Sequence, residues 1–137
     1  MTQTEIIVKL NSIYSNLNLV EVNDRYSTYD AENKNYIVEV KSRDKKYRSW
    51  AIEKKKFDSN IVISVETGKM FVYLTEYNGK IMTWNRHNLV RKGYDFQWSP
   101  IPMPRTTEFE DTKTVTKVVG FLYEGVAKIH KEKEWLM

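Results

Sequence analysis

The sequence predicts a single α/β domain over residues 1–137, built on a mixed central β-sheet flanked by helices. Three observations predict it. The N-terminal residues have the spacing of an amphipathic helix, strictly alternating residues follow in the middle of the chain, and a basic helical segment separates these from a strong hairpin signal.

The first predicted element is a helix over residues 2–18, and its apolar stripe is the main evidence. Thr2 and Glu5 have the Thr-x-x-Glu spacing of a capping box, which indicates where the helix begins. The apolar residues at helical spacing are Ile6, Leu10, Ile13 and Leu17.

Strands are predicted next, with a turn at Asn33-Lys34. The segment Tyr36–Arg43 (YIVEVKSR) alternates strictly, so its odd and even residues point to opposite faces of the sheet. Tyr36, Val38 and Val40 form the predicted core face, and Ile37, Glu39 and Lys41 share the other. The shorter strand signals are Leu19–Asn23 and Arg25–Asp30.

The second half of the chain is predicted to hold a helix and several strands. A helix is expected over residues 47–60, followed by a hairpin with its turn at Asn78-Gly79. Three prolines in Trp98–Arg105 exclude a helix or a central strand, leaving a loop or an extended edge. One more strand is expected over residues 114–123, and a helical or frayed tail beyond Ala127.

Composition limits the classes of protein. The chain has no cysteine, which excludes disulfides and thiolate metal sites and fits a reducing compartment. No stretch has the length of a membrane span, and the N-terminus lacks the pattern of a signal peptide. We therefore expect a cytoplasmic protein with no membrane contact.

Positive charge is concentrated between Lys41 and Lys56, although the net charge is only +4. Such a local excess suits a polyanion such as nucleic acid, and a solvated helix face is the alternative interpretation. Arg105, beside two threonines, is a further candidate phosphate contact. The other candidate contacts to the nucleic-acid backbone are Lys45, Lys46, Arg48 and Lys56.

Candidate chemistry lies at the predicted hairpin. With Asn33 and Lys34 in the turn, Asp30 is diagonal to Glu39 and shares a face with Glu39 and Lys41. Two neighbouring carboxylates repel unless a cation lies between them, and oxygen ligands favour Mg²⁺ or Mn²⁺. The carbonyl of Val40 is a candidate third ligand, whereas a backbone-bonded Asp30 and a solvent-facing Glu39–Lys41 ion pair are the structural alternatives.

The spacing of Asp30, Glu39 and Lys41 resembles the Asp…(Asp/Glu)-x-Lys signature of the PD-(D/E)XK, or restriction-endonuclease-like, nucleases. Tyr36–Arg43, Tyr47 and Ile52–Lys56 also resemble the sequence that follows this signature in the family. The resemblance covers about residues 1–85, and the proline that often precedes the first aspartate is replaced by Tyr29.

This resemblance implies a restriction-endonuclease-like core and a Mg²⁺-dependent DNA endonuclease, with RNA as an open alternative and a homodimer as a possible assembly. Asp30 and Glu39 would be ligands and Lys41 the catalytic lysine. Glu5 or Glu21 would supply a further acidic group, although Glu5 also fits the capping box. By analogy, the small size suits a phage or mobile-element nuclease acting in the host cytoplasm.

Other polar residues have more than one interpretation. Glu53 would either hold a second metal ion or pair with Lys56 or Lys41. The aromatic residues Trp84, Tyr94 and Trp98 would either stack on bases or belong to the core. Two rival functions remain open: a nucleic-acid-binding protein of the same fold without turnover, and a protein that inhibits a partner through its basic surface.

Overall fold

The computed structural model describes residues 1–86, 98–104 and 114–131. In these ranges the chain is mixed α/β, with two α-helices, a six-stranded mixed sheet and a three-stranded antiparallel sheet. Neither of these two helices is long and apolar enough to cross a membrane.

The first helix, α1, spans Gln3–Ile13 and begins at the predicted capping box. The Thr2 hydroxyl accepts a hydrogen bond from the Glu5 backbone N–H (3.1 Å), and Glu5 Oε1 accepts one from the Thr2 N–H (3.0 Å). The helix ends well before residue 18 because Tyr14 adopts an extended conformation. The Asn11 side chain then bonds both backbone groups of Leu19, which turns the chain back towards the sheet.

The six-stranded sheet has one parallel pair at its centre. Its order is β1-β2-β3-β5-β6-β9, and every neighbouring pair is antiparallel except β3 and β5. The second sheet has the order β4-β8-β7. The strands are β1 Val20–Glu21, β2 Ala31–Glu32, β3 Tyr36–Arg43, β4 Trp50–Glu53, β5 Met70–Tyr77, β6 Lys80–Asn85, β7 Ser99–Pro104, β8 Thr114–Leu122 and β9 Lys128–His130.

The predicted helix over residues 47–60 is wrong at its start. Trp50–Glu53 forms β4, and the helix α2 spans Lys54–Thr67. Trp50 and Ile52 alternate as strand residues do, and β4 pairs with β8, so both side chains are buried. The helix ends at Gly68, which takes a left-handed conformation with φ of 73°.

The predictions for the C-terminal half are confirmed except at the tail. The β5–β6 hairpin turns at Asn78-Gly79, where both residues have positive φ. The proline-rich strand β7 lies at the edge of the second sheet, as its missing N–H donors require, and β8 matches the predicted strand. The expected helical or frayed tail is wrong for Lys128–His130, which pairs with β6.

Both faces of the central sheet are buried. One hydrophobic cluster packs α1 against the face that carries Val38 and Val40. A second cluster packs the face of Ile37 against residues of β4, α2 and β8. The prediction of a single core face was therefore incomplete: β3 is an internal strand covered on both sides, and Ile37 is fully buried.

Candidate active site

Asp30 lies directly before β2 and is bonded to the part of β3 that carries Glu39, close enough for its charge to raise the pKa of Glu39. Ala31 pairs with Val38, and the turn is centred on Lys34-Asn35, one residue later than predicted. Asn33 causes this shift because its side-chain oxygen accepts from the N–H of Asn35 (2.8 Å). The pairing moves by two residues, so the side chains keep the face predicted from the sequence.

Asp30 is held at this position by three hydrogen bonds. Its N–H donates to the Val38 carbonyl (2.8 Å), and its own carbonyl accepts from the Val22 N–H (2.8 Å). Its carboxylate Oδ2 accepts from the Val40 N–H at 2.7 Å. This last bond is the backbone bond that the structural alternative for Asp30 predicts, and it fixes the carboxylate beside β3, the strand that carries Glu39.

Glu39 is the buried centre of the site, with 3% of its surface exposed. Its Oε1 lies 3.7 Å from the Lys41 ammonium and 3.9 Å from that of Lys56. Burial raises the pKa of Glu39 to about 7; the two lysines oppose this rise, while Asp30 and Glu53 add to it. Its pairing with Lys41 is thus buried and not the solvent-facing ion pair considered from the sequence.

Lys41 lies on the same face of β3 as Glu39 and is also largely removed from water. Burial lowers the pKa of its ammonium, and the charge of Glu39 opposes this only in part. In the parallel pairing with β5, Lys41 lies beside Thr75. Among the described residues, two buried side-chain oxygens have no hydrogen-bond partner, Glu39 Oε2 and Thr75 Oγ1. Both oxygens lie on the face of β3 and β5 that carries Glu39 and Lys41, so they could form hydrogen bonds to a polar ligand.

Glu53 joins the site from the N-terminus of α2. Its Oε1 accepts from the Lys117 ammonium at 3.0 Å, so its hydrogen-bonding partner is neither Lys56 nor Lys41. Burial alone would raise the pKa of Glu53, but the bond from Lys117 and the charge of Lys56 lower it overall. Lys117 is a site residue that the sequence did not indicate, since it arrives on β8 from far along the chain.

Lys56 lies in the site as well as at the surface. The sequence assigned it to the nucleic-acid backbone, yet its ammonium is close to Glu39, and 39% of its side chain is exposed. It is therefore placed to contact both the buried carboxylate and a ligand in solvent.

Two acidic candidates lie away from this cluster. Glu5 completes the capping box on α1, which packs on the opposite face of the sheet. Glu21 pairs with Ala31 and so shares the face of Val38, and its carboxylate accepts from the Thr4 hydroxyl (2.7 Å). The prediction that Glu5 or Glu21 contributes to the site is therefore wrong, because both lie on the side of the sheet opposite to the face of Glu39.

The basic loop, defined here as residues 44–49 between β3 and β4, continues from Lys41. Its three cations are all exposed, as expected for residues that bind an external ligand. They are Lys45, Lys46 and Arg48. Arg105, the fourth predicted contact outside the site, lies outside the described residues, as does Tyr94.

Two buried polar residues support the site and were not predicted. Asn60 of α2 is fully buried, donates to the Thr28 carbonyl (3.0 Å) and accepts from the Thr28 hydroxyl (2.6 Å). This fixes the chain two residues before Asp30. Tyr73 neighbours Glu39 across the β3–β5 pairing, and its hydroxyl donates to the Ala51 carbonyl (2.9 Å), tying β4 to the central sheet.

The tryptophan candidates pack against other side chains of the protein, and His130 is hydrogen-bonded within it. Trp84 is 2% exposed in the second hydrophobic cluster, and Trp98 packs against the ring of Phe57. His130 lies between the hydroxyls of Tyr14 (2.6 Å) and Thr83 (2.7 Å), on the face that α1 covers. The core interpretation of the two tryptophans is the one that the packing favours.

Comparison with known proteins adds no family to these observations. The chain matches no protein-family model, no curated protein and no solved structure. The PD-(D/E)XK resemblance therefore stays a prediction, and the functional argument depends on the geometry of the site.

Asp30 and Glu39 are the carboxylates at this site that could bind a divalent cation. Within residues 1–86, 98–104 and 114–131, no three His, Cys, Asp or Glu side chains are grouped to hold a metal ion. Mg²⁺, however, usually takes one or two carboxylates from a protein and fills its remaining positions with water or substrate oxygen. Asp30 and Glu39, with the unpaired Oε2 of Glu39, fit that requirement.

Proposed function

We propose that the chain is a metal-dependent DNA endonuclease of the PD-(D/E)XK type, which hydrolyses phosphodiester bonds. The observation that carries this proposal is the buried Glu39 carboxylate, which has one unpaired oxygen, Lys41 on the same face and the charge of Asp30 nearby. A carboxylate with these surroundings is expensive to keep in a core, and such groups are concentrated at functional sites.

The fold gives further support. A helix, three antiparallel strands, a crossover helix and a strand parallel to the third follow one another in the order α1, β1, β2, β3, α2 and β5. This is the order that the resemblance implies for a restriction-endonuclease-like core. β4, inserted before α2, pairs with β8 in a second sheet that brings Lys117 to the site.

Asp30, Glu39 and the carbonyl of Val40 would hold Mg²⁺ or Mn²⁺. When bound, such an ion polarises a phosphate and makes a coordinated water more acidic. The protein fixes one ligand in advance, since the Asp30 carboxylate is already oriented by the Val40 N–H. Glu39 is desolvated, which strengthens its interaction with any cation that replaces its lysine partners.

Lys41 is the residue placed to act on the reacting phosphate. Its ammonium is near Glu39 and partly exposed, so it can donate hydrogen bonds to a phosphate oxygen or a nucleophilic water. Because burial lowers the pKa of Lys41, its proton is also more easily transferred than that of a surface lysine. The basic loop would bind neighbouring phosphates and make affinity fall steeply with salt.

The test is cleavage of supercoiled plasmid, branched DNA and RNA by pure protein, with Mg²⁺, with Mn²⁺ and with chelator. Glu39→Gln and Lys41→Met are the informative variants, because each removes one charge and preserves approximate size. Glu66→Gln and Lys55→Met, at exposed positions of α2, are matched controls. We expect metal-dependent cutting by the wild type and both controls, and its loss in the two site variants.

Cutting that survives chelation, or that persists in both site variants, would show that this cluster does not perform the reaction. The three substrates also decide between DNA and RNA, which present the same phosphate. A homodimer would be supported by a doubled mass in solution together with cuts in both strands of one duplex.

A nucleic-acid-binding protein without turnover is the second candidate. The observation that favours it is the pairing of Glu39 with two ammonium groups, which compensates the buried charge without any metal. This candidate predicts salt-sensitive DNA binding that is unchanged by divalent cations and by Glu39→Gln.

A further inference from the structure

Lys56 occupies an unfavourable place for a cation. It lies in the first turn of α2, a helix that begins with three consecutive lysines and has no acidic residue in that turn. The N-terminus of a helix carries partial positive charge, which favours anions and disfavours ammonium groups. The helix dipole does not favour a cation at Lys56, so its electrostatic partner lies outside this helix turn.

That partner is Glu39, and the contact between them is loose. The Lys56 ammonium is 3.9 Å from Glu39 Oε1, beyond hydrogen-bonding distance, and the Lys41 ammonium is 3.7 Å from the same atom. Two positive charges therefore surround one oxygen of a buried carboxylate, while the other oxygen has no partner among the described residues. The lysines neutralise Glu39 without saturating it.

A divalent cation at Glu39 would place two charges beside two ammonium groups. The repulsion is relieved if one lysine leaves. Lys56 is the lysine with easier access to water, because 39% of its side chain is exposed against 22% for Lys41.

We propose, on the basis of the nuclease function above, that Lys56 is a built-in competitor of the metal ion. It neutralises Glu39 in the metal-free protein, is displaced when a divalent cation binds, and then pairs with a substrate phosphate near the N-terminus of α2. Metal and DNA binding are thereby positively coupled: a phosphate that takes Lys56 makes the carboxylate available to the metal, and the metal makes Lys56 available to the phosphate.

The experiment is calorimetric titration of Mn²⁺ into the full chain, without substrate. We expect Lys56→Met to bind Mn²⁺ on the order of tenfold more tightly than the wild type, since the competing charge is gone. Lys56→Arg, which keeps the charge, should stay near the wild type. Lys55→Met changes a neighbouring exposed lysine of the same helix turn and should also leave the affinity unchanged.

A second titration repeats the measurement with a short DNA duplex containing phosphorothioate linkages. The duplex should tighten Mn²⁺ binding by the wild type and have little effect on Lys56→Met. If Lys56→Met is poorly folded, Lys56→Gln takes its place, because its polar amide is solvated at this partly exposed position.

The outcomes separate this inference from the proposed function. Mn²⁺ binding that Glu39→Gln abolishes, but that Lys56→Met and Lys56→Gln leave unchanged or weaken, overturns the competition while preserving the metal site. Mn²⁺ binding that is absent, or indifferent to Glu39→Gln, in the wild type and in Lys56→Met alike overturns both.

Discussion

Ionisation of Glu39 should make the protein less stable as the pH rises. Its carboxyl is protonated more easily in the folded state, where burial raises the pKa of Glu39 from 4.5 to about 7. Between these two values the unfolded chain has lost the proton and the folded chain keeps it. The contribution of Glu39 to the free energy of unfolding therefore falls as the pH rises from about 4.5 to about 7, and it is constant above that range.

The expected size of the effect follows from the difference between the pKa of Glu39 in the folded and unfolded states. Each tenfold change in the protonation equilibrium is worth about 1.4 kcal/mol, so ionising Glu39 in the core costs the folded state roughly 3 kcal/mol. That is a large fraction of the stability of a typical domain, which is roughly 5–15 kcal/mol. Glu39→Gln removes the ionisation, so its stability should lack this particular decline.

Urea unfolding followed by tryptophan fluorescence, repeated from pH 4.5 to pH 8, measures the difference. Wild type and Glu39→Gln should diverge by roughly 3 kcal/mol across this range. The glutamine also leaves Lys41 and Lys56 without their partner, which shifts its stability at every pH, so the ionisation of Glu39 is measured by the change with pH. Parallel curves for the two proteins would refute the reasoning, and Glu66→Gln, an exposed carboxylate on α2, should run parallel to the wild type.

Three further predictions concern Asn60, the basic loop and His130. Asn60→Leu loses both hydrogen bonds to Thr28, so it should lower the free energy of unfolding in urea by about 1–3 kcal/mol and should also reduce cleavage. Unchanged stability would show that these two bonds do not hold the chain before Asp30. Replacing the three cations of the basic loop with glutamine should make the dependence of log affinity for duplex DNA on log salt shallower, by roughly 0.9 for each phosphate that the loop no longer neutralises, in anisotropy titrations; arginine replacements should preserve it. Burial lowers the pKa of His130 to about 4, so the contribution of His130 to stability should fall as the pH drops from 6.5 towards 4, opposite in sign to that of Glu39 and equal in wild type and Glu39→Gln; an NMR resonance of this ring titrating near 6.5 would disprove its burial.

Local signals predicted much of the fold. The Asn78-Gly79 turn was identified because a tight hairpin needs positive φ at both central residues, and the capping box because its two bonds join residues three positions apart. β4 was mistaken for helix because Trp50 also falls on a helical stripe, and its strand conformation depends on pairing with β8, dozens of residues later in the chain. No local pattern contains that information.

In the site, too, local patterns predicted some features, and distant contacts decide the others. Alternation along β3 predicted that Glu39 and Lys41 share a face, and this does not depend on tertiary packing. The pairing of β2 with β3 differs by two residues from the predicted register because the side chain of Asn33 decides the turn. Lys117 comes from a different sheet, and nothing in its own sequence neighbourhood distinguishes it from a surface lysine.

The burial of Glu39 also bears on why the cluster exists. An apolar face of β3 would pack under α2 and β4 without any desolvated charge, and replacing buried ion pairs by apolar residues is often neutral or stabilising. Stability alone therefore gives no reason for Glu39 at this position. If Glu39→Gln is the more stable protein at pH 8 and has lost metal binding and cleavage, the carboxylate is retained for chemistry at the expense of the fold. If it is less stable at every pH, the two lysines and Glu39 form a structural ion-pair network, and the nuclease proposal loses its main support.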